Sequence, residues 1–237
     1  MKKCLWMVLA LAAATLAPAE ETRVFALASA GDVDAALVER VRDRLEESAG
    51  AVVRLASPVS LEAGQAMDVI GRNAARTLTD SDFAIIVLAR PLDDRPQGVC
   101  LPDERFAVLN VAKLEAGADA AALERRASQE GLRVMTMLLK MAPCPFPLCV
   151  LVGYDKVEDL DHMSSNFCPP CQDRFLRTAR EAGLRLIEKP AEEEVPAAAP
   201  APAVEAAPAA EAVPVAVAPA VEPVAAPEAE PASAAAE

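Results

Sequence analysis

Histidine occurs once in this 237-residue chain, at His162. A single imidazole excludes any metal centre that takes three histidine ligands, however the chain folds. A long hydrophobic run is missing from the N-terminal region as well. The apolar stretch Leu5 to Ala17 has 13 residues, too few for a permanent bilayer-spanning helix. Residues 20–189 carry 21 basic and 27 acidic side chains, a net charge of −6. They contain no basic stripe that would recruit nucleic acid. From Pro190 to Glu237 there is no Lys, Arg, Gly or aromatic residue. Without large side chains that segment cannot build a core.

What is present divides the chain into three parts. Lys2 and Lys3 precede the apolar stretch, and Ala17-Pro18-Ala19 offers small residues at the positions a signal peptidase reads. Residues 1–19 therefore read as an export signal, which places the mature protein in the periplasm or outside the cell. No transmembrane span is expected after cleavage. Cys4 lies before the apolar stretch, so it cannot be the acylated cysteine of a lipoprotein. Residues 190–237 hold ten prolines and nine glutamates among alanines and valines. Prolines this frequent forbid a continuous helix, so the expectation is a disordered tail. It would serve as a spacer, an envelope-spanning stalk or a solubilising segment. Between them, residues 20–189 suffice for one domain with a real core.

Within that domain, strand-like runs alternate with helical patterns. Arg23 to Ser29, Ala51 to Leu55, Asp82 to Arg90, Val99 to Leu101 and Phe106 to Val111 read as strands. The run at Asp82 is almost wholly apolar, as expected of a strand buried on both faces. Val33 to Ala49 has Ala36, Leu37, Val41 and Leu45 at helical spacing, and Leu61 to Leu78 is helical in pattern. A long helix is expected from about Asp119 to Met141, apolar nearly all round in its second half and so buried. Pro169 and Pro170 introduce a last amphipathic helix through Leu186. This alternation predicts an α/β domain with a mostly parallel sheet and a late antiparallel edge, joined by a hairpin through Pro102-Asp103.

The most specific signal is a pair of cysteine pairs, Cys144-x4-Cys149 and Cys168-x2-Cys171, separated by 18 residues. Thiolates suit zinc, and two close pairs can complete a tetrahedron around one ion. With its flanks the pattern resembles the archaemetzincins, zinc metalloproteases whose motif runs His-Glu-x-x-His-x-x-Gly-x-x-His-Cys-x4-Cys-x-Met. In that family Cys-x-x-Cys follows about 17 residues later. The stretch from Arg125 to Leu176, including Asp161 and Asn166-Phe167-Cys168, is similar to the family's C-terminal half almost without gaps. The resemblance implies a metzincin-like single domain, a mixed sheet packed on helices with a C-terminal four-cysteine subsite. It also implies one structural zinc on Cys144, Cys149, Cys168 and Cys171.

The same register removes the chemistry. The three histidine positions fall on Arg133, Met137 and Pro143, and the catalytic glutamate position on Val134. The glycine position is Lys140 and the Met-turn methionine is Leu151. Metalloproteolysis needs three ligands, an open zinc position and a general base. A permanent cation and a weak thioether cannot replace two imidazoles. The expectation is an exported pseudoprotease with no catalytic residues, which binds or scaffolds an unidentified protein or peptide partner. The apolar replacement of the Arg133–Pro143 face would fill the former site, with Met135, Met137 and Met141 as core filler.

Two other classes compete with this reading. A relocated catalytic zinc would have to combine His162 with Glu158, Asp159 or Asp161. A thiol–disulfide protein would use Cys168-Pro-Pro-Cys171 at a helix N-terminus, with disulfides in an oxidising compartment. Cys100, left over from the pairs, reads as a structural thiol rather than a nucleophile. Asp93-Asp94 reads as turn chemistry.

Overall fold

A computed structural model describes residues 22–90 and 95–187. The expected export signal at residues 1–19, the Asp93-Asp94 turn and the Pro190–Glu237 tail lie outside the described residues. Five strands, β1 (Val24–Ala30), β2 (Val53–Leu55), β3 (Asp82–Ala89), β4 (Gly98–Leu101) and β5 (Phe106–Asn110), form one sheet in the order β2-β1-β3-β5-β4. The four pairings follow the expected pattern. β1 is parallel to β2 and β3, β3 is parallel to β5, and β4 runs antiparallel along the edge of β5.

Strand alternation sorts the core into two layers. Phe25, Leu27, Ala84, Ile86, Leu88 and Leu109 point to one face, where α1 (Ala35–Ala49), α4 (Ala120–Leu138) and α5 (Pro169–Glu181) pack. Ala26, Ala28, Ile85, Val87 and Phe106 point to the other, under α2 (Met67–Ala75). β3 is thus buried on both sides, and from Ala84 to Ala89 its residues are at most 1% exposed. On α1 the inward stripe is Leu37, Val38, Val41 and Leu45, with Ala36 exposed. Gly131 of α4 lets α1 come close, because a Cβ there would stand 2.8 Å from the Leu45 Cδ2 atom.

Several boundaries differ from the sequence reading, each for a local reason. α2 starts at Met67 rather than Leu61, because Gly64 takes φ +76° and Ala66 is extended. After β5, Asn110 turns its side chain to accept from the Ala112 N–H, and Val111–Leu114 become a short helix, α3. α4 starts on Asp119, whose side chain accepts from the Ala122 N–H. It ends at Leu138, where Lys140 adopts φ 55° and the Met141 N–H returns to the Thr136 carbonyl. α5 ends at Glu181, and Leu184 and Leu186 leave it to bridge Arg23 and Ala51. Among the described residues no helix is long and apolar enough to cross a membrane.

Candidate metal centre and the adjoining helix face

The end of α4 and the start of α5 bring the two cysteine pairs together. Pro143 cannot continue α4, so the chain turns into a loop that folds back on itself. There the Cys144 N–H bonds the Leu151 carbonyl, and the Cys149 N–H bonds the Phe146 carbonyl. The Val150 N–H reaches the Asn166 carbonyl and so sets this loop against the segment carrying the second pair. Cys168 caps α5, with Pro169 and Pro170 in the first two helical positions, where a missing N–H costs nothing. Cys171 follows within the first turn.

The four sulfurs all lie within 4.8 Å of one another, and Cys144 Sγ is 3.9 Å from Cys168 Sγ. A tetrahedron with Zn–S bonds of about 2.3 Å has edges of roughly 3.8 Å, so these sulfurs could hold one zinc ion with little movement. Cys149, Cys168 and Cys171 are buried and Cys144 is half-buried, as in a closed site with no position left for water. All four are free thiols, as is Cys100. Their acidities diverge. The Cys171 backbone N–H holds the Cys168 thiol below its usual range, while burial pushes Cys149 upward and Cys171 up to about 12. Four thiolates this close repel one another, so a full set requires a cation among them.

A second anchor holds the lobe on α4. Arg126, 1% exposed, binds Asp161 with both Nε (3.0 Å) and Nη2 (2.6 Å), and its Nη1 donates to the Leu114 and Ala116 carbonyls. Arg125 adds a bond of 2.8 Å to the same carboxylate. Gln129, fully buried one turn on, donates to the Leu160 carbonyl at 2.9 Å. These side chains clamp the 3-10 turn Val157–His162 to the helix. Asp161 is therefore committed to guanidinium groups, and Asp159 accepts from the Asp155 and Lys156 N–H groups. Among the described residues, the four cysteines are the only group of three or more His, Cys, Asp or Glu placed to share a metal ion.

The α4 face that carries the motif positions is built differently. Arg133 donates from Nη1 to the Val150 and Val152 carbonyls at 2.7 and 2.6 Å. Its Nε stands 3.1 Å from Glu130 Oε1, and its guanidinium lies 4.8 Å from the centroid of the Tyr154 ring. Gln97 donates to the Tyr154 hydroxyl. Burial pushes the Glu130 carboxyl above its usual range, partly offset by Arg133, and burial followed by the Glu130 charge raises the Tyr154 phenol. Val134 and Leu151 point into the core, at 5% and 4% exposure.

The expected apolar filling of this face therefore needs correction. Met135 is fully buried, but Met137 is 48% exposed, Met141 is half-buried and Pro143 is exposed. The α4 residues facing the cysteine loop make polar contacts through one cation. Sequence reasoning missed Arg126, Gln129, Glu130 and Tyr154. A helix reads as amphipathic from its apolar stripe, and nothing in the spacing distinguishes a buried arginine from a solvated one. Cys100 lies half-buried on edge strand β4, and burial pushes its thiol up to about 11, far from a poised nucleophile.

Known structures carry the same fold. The archaemetzincin of Methanopyrus kandleri superposes with a TM-score of 0.57 at 19% identity, over 70% of this chain and 99% of that one. The archaemetzincin of Archaeoglobus fulgidus, crystallised with malonate, gives 0.50 at 20% identity over 64% of this chain and 99% of that one. A zinc-dependent peptidase from Methanocorpusculum labreanum gives 0.54 at 17% identity, with the same shares covered. No family profile and no curated protein matches the chain. This is an archaemetzincin-like α/β domain with a mostly parallel five-stranded sheet and a four-cysteine cluster that could hold one zinc.

Proposed function

We propose that this protein is an exported, non-hydrolytic relative of the archaemetzincins. One structural zinc on Cys144, Cys149, Cys168 and Cys171 holds its C-terminal lobe, and its role is to bind or scaffold a protein or peptide partner. The observation that carries the reading is Arg133. At the first histidine position of the motif stands a permanent cation that already binds two loop carbonyls and pairs with Glu130. A second divalent cation beside it would meet repulsion and no lone pair.

The remaining motif positions support the same conclusion. Val134 offers no carboxylate to take a proton from water, and exposed Met137 and Pro143 offer no imidazole. Zinc at the cysteines would supply cross-linking only, since four thiolates leave no open coordination position. The chain's own residues then do the rest. Arg126 and Gln129 hold the turn at Val157–His162, and Arg133 holds the loop at Val150–Val152. The Pro/Ala/Glu-rich tail would act as tether or spacer at the envelope.

The deciding experiment is metal content with peptide hydrolysis on protein purified from its native compartment. One zinc per chain, four thiols protected until denaturation and no chelator-sensitive hydrolysis is the expected result. Two disulfides and no zinc would move the protein to the thiol–disulfide class. Chelator-sensitive hydrolysis abolished by His162→Ala would restore a protease.

A further inference from the structure

We infer that Arg174 belongs to the metal centre, as a charged partner of the Cys171 sulfur that sets how tightly the four thiolates hold zinc. The inference rests on the structural-zinc reading above. Arg174 lies three residues after Cys171 on α5, so the two side chains share one face of the helix. Its Nη2 donates to Cys171 Sγ at 3.4 Å and to the Ala142 carbonyl at 3.0 Å. One guanidinium thus joins a ligand of the second pair to the chain that leads into the first.

The other donors to sulfur are neutral. The Phe146 N–H lies 3.4 Å from Cys144 Sγ, and the Cys168 N–H lies 3.5 Å from Cys149 Sγ. Four thiolates around a divalent cation leave two negative charges in excess, in a place where three of the four ligands are buried. Arg174 is the cation among these sulfur donors, and it offsets half of that excess. An independent observation points the same way. Arg174 Nε is buried and meets no hydrogen-bond acceptor among the described residues. Such a group is costly beside neutral thiols, because its desolvation is uncompensated. Beside an anionic thiolate cluster the field of the sulfurs offsets that cost. The positive N-terminus of α5, at Cys168, acts in the same sense on the second pair.

A purely structural role, holding the Ala142 carbonyl, would weaken the loaded and metal-free forms alike and leave the zinc equilibrium unchanged. The test therefore measures zinc affinity, by competition with a chromophoric chelator, in the full chain and in Arg174→Ala, Arg174→Lys and Arg174→Gln. Far-UV circular dichroism of the zinc-loaded proteins checks the fold. For Arg174→Ala the expected result is about a 10- to 100-fold loss of zinc affinity, the range found for removal of outer-shell partners. Arg174→Lys should recover most of the loss through its charge, and Arg174→Gln little. A second readout is zinc release by a thiol-alkylating reagent, which should be faster in Arg174→Ala because Cys171 loses the donor that damps its nucleophilicity. Zinc affinity in Arg174→Ala within twofold of the parent would overturn the inference, and so would equal recovery by Gln and Lys. A parent protein that holds no zinc at all would instead overturn the structural-zinc reading itself.

Discussion

Two regions of this domain meet near Pro143, and they hold the same loop in opposite ways. The four cysteines converge into a closed, mostly buried cluster matched to a soft divalent cation. The adjoining face of α4 and the loop after it place a guanidinium, a thioether and a proline where the archaemetzincin motif has imidazoles. In the first region a metal would be the cross-link. In the second, the cross-link is covalently part of the chain: Arg133 reaches the Val150 and Val152 carbonyls, one residue either side of Leu151. A loop beside these positions has carbonyls to satisfy, and an arginine can satisfy them without any ion.

The largest effect should come from breaking the cysteine side of this contrast. Removing zinc with a strong chelator leaves the four sulfurs to take up protons, and substituting Cys171→Ser removes one ligand outright; either way the cross-link between the two pairs is lost. The core under α2, on the other face of β1, β3 and β5, holds no residue of the cysteine lobe, so the sheet should persist. The expected outcome is local unfolding. Amide hydrogen exchange should rise about tenfold or more across residues 141–171, with little change in β3. Uniform acceleration through the sheet would show that zinc holds the whole domain rather than one lobe.

An intermediate effect should come from the Arg126–Asp161 clamp, which ties that lobe to α4 without any metal. Asp161→Asn leaves a buried guanidinium without its carboxylate, and should cost about 2–3 kcal/mol at neutral pH. This is at or below the lower end of the cost for a fully buried pair, because Asp161 is 25% exposed. The hydrogen bonds from Arg126 and then Arg125 hold the Asp161 carboxyl well below the usual carboxylate range. Its contribution is therefore complete above the unfolded value near pH 4 and fades as pH falls below it. Asp82, held at about 2 chiefly by Arg54, fades over the same acid limb, between about pH 4 and pH 2. Urea titrations at several pH values should show a shallower acid limb in Asp161→Asn than in the parent, but not a flat one. A limb unchanged by the substitution would remove Asp161 from the clamp.

The sheet was largely legible in the sequence, because strand burial is written as period and run length. The β3 run is continuous and the antiparallel edge came with its Pro102-Asp103 turn. Boundaries slipped where one residue's backbone decided them, as at Gly64, Lys140 and Gly183. The cysteine cluster was legible because chemistry and spacing coincide there. The polar interior of α4 was not. Arg126, Gln129 and Glu130 precede the apolar half of the helix and carry no core signal of their own, yet at 1%, 0% and 8% exposure they line its inner side. Their partners, the Leu114, Ala116 and Leu160 carbonyls and Asp161, are remote in sequence. No local pattern announces such pairings.

The smallest effect is the sharpest test of the second region. Met135 and Met137 are two residues apart on α4 and look alike in sequence, but Met135 is fully buried and Met137 is 48% exposed. Met135→Ala removes a side chain from a packed core and should cost about 2–5 kcal/mol. Met137→Ala removes one that already touches water, so its cost should stay within about 0.5 kcal/mol. Equilibrium denaturation of the two variants, under identical conditions, measures the difference directly. If Met137→Ala proves as costly as Met135→Ala, then something covers that face in solution, and the motif positions of α4 are an occupied surface. If the costs separate as expected, the face stands open beside Arg133, and Met137, at the motif's second histidine position, contributes no core contact.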